Sequence, residues 1–175
     1  MANAREIQSR MKSIKDTMKI TNAMYMISSS KLSKARTDLK NTEPYFFTMQ
    51  DALAKILMES PDAGNRFFDQ RPDLAPEDRK KGYIVVTADK GMAGAYNQNL
   101  LKFLREHADQ NDRFYVIGQV GYRALFRKDP RLVEDFHYGA TAPTLQRARD
   151  ITVDAIDDFK SGKLDEIYIV YTKIQ

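Results

Sequence analysis

Thr87-Ala88-Asp89-Lys90-Gly91-Met92-Ala93-Gly94 follows a short apolar run and precedes a helical pattern. Phosphate loops occupy that place in nucleotide-binding folds, because the N–H groups and dipole of a helix N-terminus attract anions. The glycines here are spaced GxxG, which fits neither the dinucleotide fingerprint nor the P-loop. A tight strand-to-helix turn, or a loop that touches a partner, suits the spacing better. Gly118-Gln119-Val120-Gly121 poses the same choice. His107 and His137 are the only histidines, and neither has Ser, Asp or Glu at the spacing of a triad or a metal site. Asp154, Asp157 and Asp158 share one helical stretch and read as a solvated face. The chain has no Cys, which excludes disulfides, a thiolate nucleophile and Cys-based metal sites. The residues therefore offer no recognisable catalytic or metal-ligating constellation, and a nucleotide loop is the weaker reading of the glycines.

Charge is the stronger signal. Residues 1 to 40 hold nine cations (Arg5, Arg10, Lys12, Lys15, Lys19, Lys31, Lys34, Arg36, Lys40) against Glu6, Asp16 and Asp38. That stretch is +6, and the chain total of +4 leaves the remainder at −2. Lys12, Lys15 and Lys19 recur with little compensation, whereas ordinary coiled-coil flanks mix signs. Such asymmetry favours an acidic partner (protein, nucleic acid or lipid headgroup) over a merely solvated face.

The element that positions these cations is a long helix, expected from about Asn3 to Met58. Ile7, Met11, Ile14, Met18, Thr21, Tyr25, Ser28, Leu32, Ala35 and Leu39 hold an unbroken 4-3 spacing. That period keeps one stripe against a partner helix in a left-handed supercoil. Thr21 and Ser28 weaken the middle of the seam, where Met24, Met26 and Ile27 lie partly off it; they either widen the core stripe or form a surface with changing neighbours, which flexible thioethers suit. Asn3 with Glu6 predicts a capping box, and Pro44 predicts a kink or weak point, having no N–H for the Lys40 carbonyl. Tyr45, Phe46, Met49, Leu53, Ile56 and Leu57 widen the apolar face. Residues 61–81, with three Pro and many charges, read as a surface linker.

From Gly82 the pattern changes to strands alternating with helices. Strands are expected at 83–87, 113–118, 132–138 and 166–171, and helices at 97–107, 122–127 and 143–159, the last with Leu145, Ala148, Ile151, Ala155, Ile156 and Phe159 inward. This order predicts an α/β layer with mainly parallel strands. The expected organisation is helix 1–60, linker 61–81 and α/β domain 82–175. No stretch approaches about 18 apolar residues, so no membrane helix is expected. The basic, amphipathic start resembles a transit peptide, but its helical pattern runs far past any cleavage point.

Arg5-Glu6-Ile7-Gln8-Ser9-Arg10-Met11-Lys12-Ser13-Ile14 and Lys19-Ile20-Thr21-Asn22-Ala23-Met24-Tyr25-Met26-Ile27-Ser28-Ser29-Ser30-Lys31-Leu32 resemble the opening of the gamma subunits of rotary F-type ATP synthases. The likeness continues at Pro44-Tyr45, at Thr87 to Asn97 (similar to S-D-R-G-L-C-G-G-L-N), at Ile117-Gly118 to Gly121 and at Asp165 to Tyr171. It covers nearly the whole chain. Lys90 and Ala93 stand where the family often has Arg and Cys; Lys keeps the charge and loses the bidentate fork. Without Cys, the thiol switch of chloroplast versions is excluded.

The resemblance implies a long coiled-coil helix followed by a Rossmann-like α/β domain. It also implies that a C-terminal helix, expected beyond Gln175 or supplied elsewhere, pairs antiparallel with the first. The implied role is a non-catalytic rotor shaft coupling proton-driven rotation to ATP synthesis and hydrolysis in a ring of catalytic and non-catalytic subunits. The α/β domain is then expected to touch an epsilon-type subunit and the membrane rotor ring, peripheral to the cytoplasmic face of a bacterial plasma membrane. Arg10, Lys12, Lys15, Lys19, Met24 and Lys31 on the helix, and Asp89, Lys90, Gly91 and Met92 on the loop, are the expected partner contacts. Neither nucleic acid, a small-molecule substrate nor a cofactor is expected. Two alternatives remain on the residues alone: a nucleic-acid-binding protein using the basic helix, and a nucleotide-binding α/β enzyme using the Asp89–Gly94 loop.

Overall fold

The structure is a computed structural model and describes residues 3–60, 67 and 71–173. The chain divides into two compact units, Met1–Ala63 and Gly64–Gln175.

The first unit is one helix, α1, Ala4–Glu59. Its 56 residues span about 84 Å at the helical rise of 1.5 Å per residue. It continues unbroken through Pro44, because one missing bond is a small fraction of so long a ladder. The expected capping box is absent: Asn3 has extended N-cap backbone but makes no side-chain cap bond. Glu6 instead accepts from Arg10 Nη2 at 2.8 Å, since a cation one turn ahead competes with the backward reach to Asn3. Five threonines bond back along α1: the hydroxyls of Thr17, Thr21, Thr37, Thr42 and Thr48 donate to the carbonyls of Ser13, Thr17, Ser33, Asp38 and Pro44. On the seam, Thr21 thus satisfies its own hydroxyl within the helix. At the C-cap, Ser60 N–H donates to Ile56 O at 2.9 Å. Residues 61–66 and 68–70 of the expected linker lie outside the described residues.

The second unit runs β1 (Lys81–Val86), α2 (Tyr96–His107), β2 (Arg113–Ile117), α3 (Gln119–Leu125), α4 (Leu145–Lys160) and β3 (Glu166–Val170). The sheet order is β2-β1-β3, all parallel, with Tyr83 opposite Phe114 and Tyr168. Strand alternation sends Tyr83, Val85, Phe114 and Val116 to one face, where they pack with Leu100 and Leu104 of α2 and Tyr122 of α3. Ile84 and Tyr115 face the other way onto Phe136, Leu164 and Ala155 of α4. This is the expected α/β architecture, with β1 buried centrally because both faces are covered.

Three expectations need correction. Leu132 to Tyr138 forms no ladder; its backbone pairs with β2 only at isolated bridges, Phe114–Leu132 and Ile117–Tyr138. Between them Phe136 N–H donates to Val133 O at 3.2 Å, a turn that drops Phe136 into the core in place of continued pairing. Helix α4 begins after Pro143, at the cap Thr144, whose Oγ1 accepts from Arg147 N–H at 3.2 Å. Consequently Leu145 and Ala148, in the first turn, stay exposed rather than inward. Finally, the described end of the linker is attached to β3: Arg79 Nη1 lies 2.7 Å from Glu166 Oε1, and Lys80 N–H donates to Asp165 Oδ2 at 3.0 Å.

Candidate functional site

At the carboxyl end of β1, Thr87 is almost completely buried, and its Oγ1 donates to Ile117 O at 2.8 Å while accepting from Gly121 N–H at 3.1 Å. Gly118 has φ +94°, and a Cβ there would sit 2.2 Å from Thr87 O. A Cβ on Gly121 would sit 2.5 Å from Thr87 Cγ2. These glycines permit close packing between the ends of β1 and β2, so the Gly118–Gly121 spacing serves the fold rather than a phosphate.

Beyond Thr87 the chain is held at its base. Ala88 N–H donates to Asn97 Oδ1 at 2.9 Å, and the Tyr96 hydroxyl donates to Val86 O at 2.7 Å. Asp89 Oδ1 accepts from Ala140 N–H at 3.0 Å and Gln119 N–H at 3.4 Å. Its Oδ2 accepts from Thr141 N–H at 2.8 Å and from the Thr141 hydroxyl. Partial burial pushes the Asp89 carboxyl up, but the Thr141, Ala140 and Gln119 donors outweigh it and hold its pKa below the ordinary value. Asp89, expected at an interface, therefore has its carboxylate engaged inside the domain.

The next residues, Lys90 to Ala95, are all exposed. Met92 is 86% exposed and has φ +64°. An apolar side chain held in solvent on left-handed backbone carries two local costs, of which the backbone one is about 1–2 kcal/mol. Such cost concentrates where a surface is shaped for something else to meet it.

On α1 every described residue is exposed, seam included: Ile7, Met11, Ile14, Met18, Tyr25, Leu32 and Leu39 form an outward apolar stripe. Two of the singled-out cations have local partners, Arg10 with Glu6 at 2.8 Å and Lys19 with Asp16 at 3.4 Å. Among the described residues, Lys12, Lys15 and Lys31 make no salt bridge. Met24 is likewise exposed.

Both histidines pack against neighbouring aromatic rings. His107 stacks on Phe103 at 4.1 Å with its Nδ1 2.9 Å from Phe103 O, and the His137 ring lies 4.2 Å from Tyr122. No group of His, Asp and Glu among the described residues is arranged to hold a metal ion. Asp154 and Asp157 lie on the solvated face expected, but Asp158 does not. It accepts from the Tyr115 hydroxyl at 2.6 Å and Lys163 Nζ at 2.9 Å, with Arg113 Nε at 3.7 Å. Burial pushes the Asp158 carboxyl up, and these partners pull it below the usual value. Sequence reasoning missed Thr141 and Tyr115 because each meets its carboxylate across more than forty residues, with no local spacing to mark it.

Comparison with known proteins places these surfaces in context. A family model described as ATP synthase matches residues 3–175. The chain is 43% identical to the ATP synthase gamma chain of Ruminiclostridium cellulolyticum, over 98% of this chain and 59% of that one. It is 39% identical to the gamma chain of Acetivibrio thermocellus, over 98% of this chain and 58% of that one. It is 37% identical to a protein of Acetobacterium woodii named ATP synthase gamma chain, sodium ion specific, over 98% of this chain and 56% of that one. The chain thus spans less than two thirds of the length of these curated relatives.

Proposed function

This chain belongs to the ATP synthase gamma family, and we propose that it forms part of the central rotor shaft that couples ion-driven rotation to ATP synthesis and hydrolysis. It does so as a non-catalytic subunit. Helix α1 is one half of an antiparallel coiled coil, and residues 82–175 are its α/β domain. The observation that carries this reading is a 56-residue helix whose 4-3 apolar stripe and basic flanks are exposed throughout.

The stripe from Ile7 to Leu39 accepts the second helix. Arg10, Lys12, Lys15, Lys19, Met24 and Lys31, with Lys90, Gly91 and Met92 of the loop, face the catalytic and non-catalytic subunits. The α/β domain meets the epsilon-type subunit and the membrane rotor ring. The subunit takes a peripheral place on the cytoplasmic face of the plasma membrane; among the described residues no helix is long and apolar enough to cross a membrane. The coupling ion is a proton, or sodium as in the name of the Acetobacterium relative.

Mechanically, the shaft drives by shape. An asymmetric axle binds the alternative conformations of each catalytic subunit unequally, so each orientation shifts their populations differently. Exposed Lys–carboxylate contacts contribute only about 0–1 kcal/mol each. Many such contacts hold position without locking the rotor. The test is direct: a bead on a cysteine introduced into the α/β domain, where the sequence has none, is watched in a complete rotary complex carrying this sequence and stripped of other reactive cysteines. ATP-driven stepwise rotation supports the reading. A bead that stays still while ATP is hydrolysed overturns it.

A further inference from the structure

We infer that Asp89 is a positioning residue that fixes the Lys90–Met92 loop for its partner contact by tying it to the Gly139–Ala142 turn. The inference rests on the proposed contact of that loop with the catalytic hexamer. Each Asp89 oxygen accepts two bonds: Oδ1 from Ala140 and Gln119 N–H, and Oδ2 from the N–H and hydroxyl of Thr141. The donors come from two segments, the start of α3 and the turn before α4, so one carboxylate joins three stretches of chain. A Cβ on Gly139 would lie 3.4 Å from both oxygens, so this backbone runs close against the group it binds. The far side of the turn is tied as well: Arg147 of α4 donates through Nη1 to Thr141 O at 2.7 Å. Asp89 therefore links the exposed loop to α4 through Thr141 and Arg147, and it anchors Met92 in its outward, left-handed conformation. Only a carboxylate serves here. An amide at position 89 turns an NH2 toward N–H or O–H donors at one of its two ends.

The experiment compares Asp89→Asn, Thr141→Val and Met92→Glu in the full chain. Hydrogen exchange reports the tie, and affinity for the catalytic hexamer of its own complex reports the contact. Asp89→Asn is expected to speed exchange at Ala140 and Thr141 by at least about tenfold, the loss of one bond to a charged group, while Tyr83 to Val86 stay protected. Thr141→Val, which keeps the backbone donors, gives a smaller effect in the same direction and serves as the readout if Asp89→Asn fails to fold. Hexamer affinity falls for Asp89→Asn and for Met92→Glu, and the double variant is no weaker than Met92→Glu alone, because both act through one contact. Additive losses, or unchanged exchange at Ala140 and Thr141, overturn the positioning role. Weakening by Met92→Glu but not by Asp89→Asn also overturns it, while the loop contact stands. A silent Met92→Glu overturns the loop contact itself.

Discussion

The Tyr115 hydroxyl donates to Asp158 at 2.6 Å, joining the middle of β2 to the end of α4. Tyr115 has no exposed surface and Asp158 is held further by Lys163 and Arg113. Burial first, then the bond to Asp158, pushes the phenol well above its ordinary pKa. Tyr115→Phe removes the donor and leaves a half-buried carboxylate short of one partner. The expected loss is about 1.5–3 kcal/mol of stability, the range for hydrogen bonds to charged groups. Urea denaturation checks it; a variant as stable as the parent contradicts the assignment.

Gly118 gives a second prediction. Its φ of +94° disfavours any side chain, and the Thr87 carbonyl leaves no room for one. Gly118→Ala is expected to cost about 3 kcal/mol or more from strain and overpacking together. The same substitution at Gly91, where a Cβ meets nothing within 4 Å, is expected to be nearly neutral. Equal melting temperatures for the two variants contradict this account.

Acid should unfold the α/β domain. Asp89, Asp129, Asp158 and Glu166 all have folded pKa values below their ordinary ones. For Asp129 the Arg131 side chain is the main cause, and for Glu166 the bonds from Tyr168 and Arg79 are. A lowered carboxyl pKa contributes stability that is present above the unfolded value, about 4, and is lost as pH falls through the folded value. Melting temperature is therefore expected to be level from neutral pH to about 5 and to fall below about 4. A profile still level well below that window contradicts these carboxylate assignments.

The exposed stripe of α1 predicts association. Each seam side chain is worth about 1.5–3 kcal/mol when buried against leaving it in water. Sedimentation of the isolated chain is expected to show concentration-dependent self-association, relieved by Leu32→Glu with Met18→Glu. A monomer at every concentration tested contradicts the seam.

The sequence showed α1 within a residue at each end, because a 4-3 period over ten positions is a redundant signal. It also showed β1, β2 and β3, whose apolar β-branched runs are covered on one or both faces. It misread Leu132 to Tyr138, since alternation cannot distinguish a strand from a turn that places one aromatic, Phe136, in the core. It gave no sign that the Asp89 carboxylate is tied inside the domain, because nothing near Asp89 in sequence announces donors fifty residues away. It read Asp158 as solvated for the same reason. Local pattern carried the elements; long-range polar pairing did not leave a trace in spacing.

The central claim is that the basic, apolar-striped helix transmits torque. Its most direct test is ATP synthesis driven by an ion gradient in a complete complex bearing Lys12→Glu, Lys15→Glu and Lys19→Glu, alongside Met24→Glu. These residues are exposed on α1, so the α/β domain is expected to keep its melting temperature. Synthesis is expected to fall several-fold relative to ATP hydrolysis, three contacts of about 0–1 kcal/mol each being reversed. Unchanged synthesis per ATP hydrolysed in both variants contradicts the account.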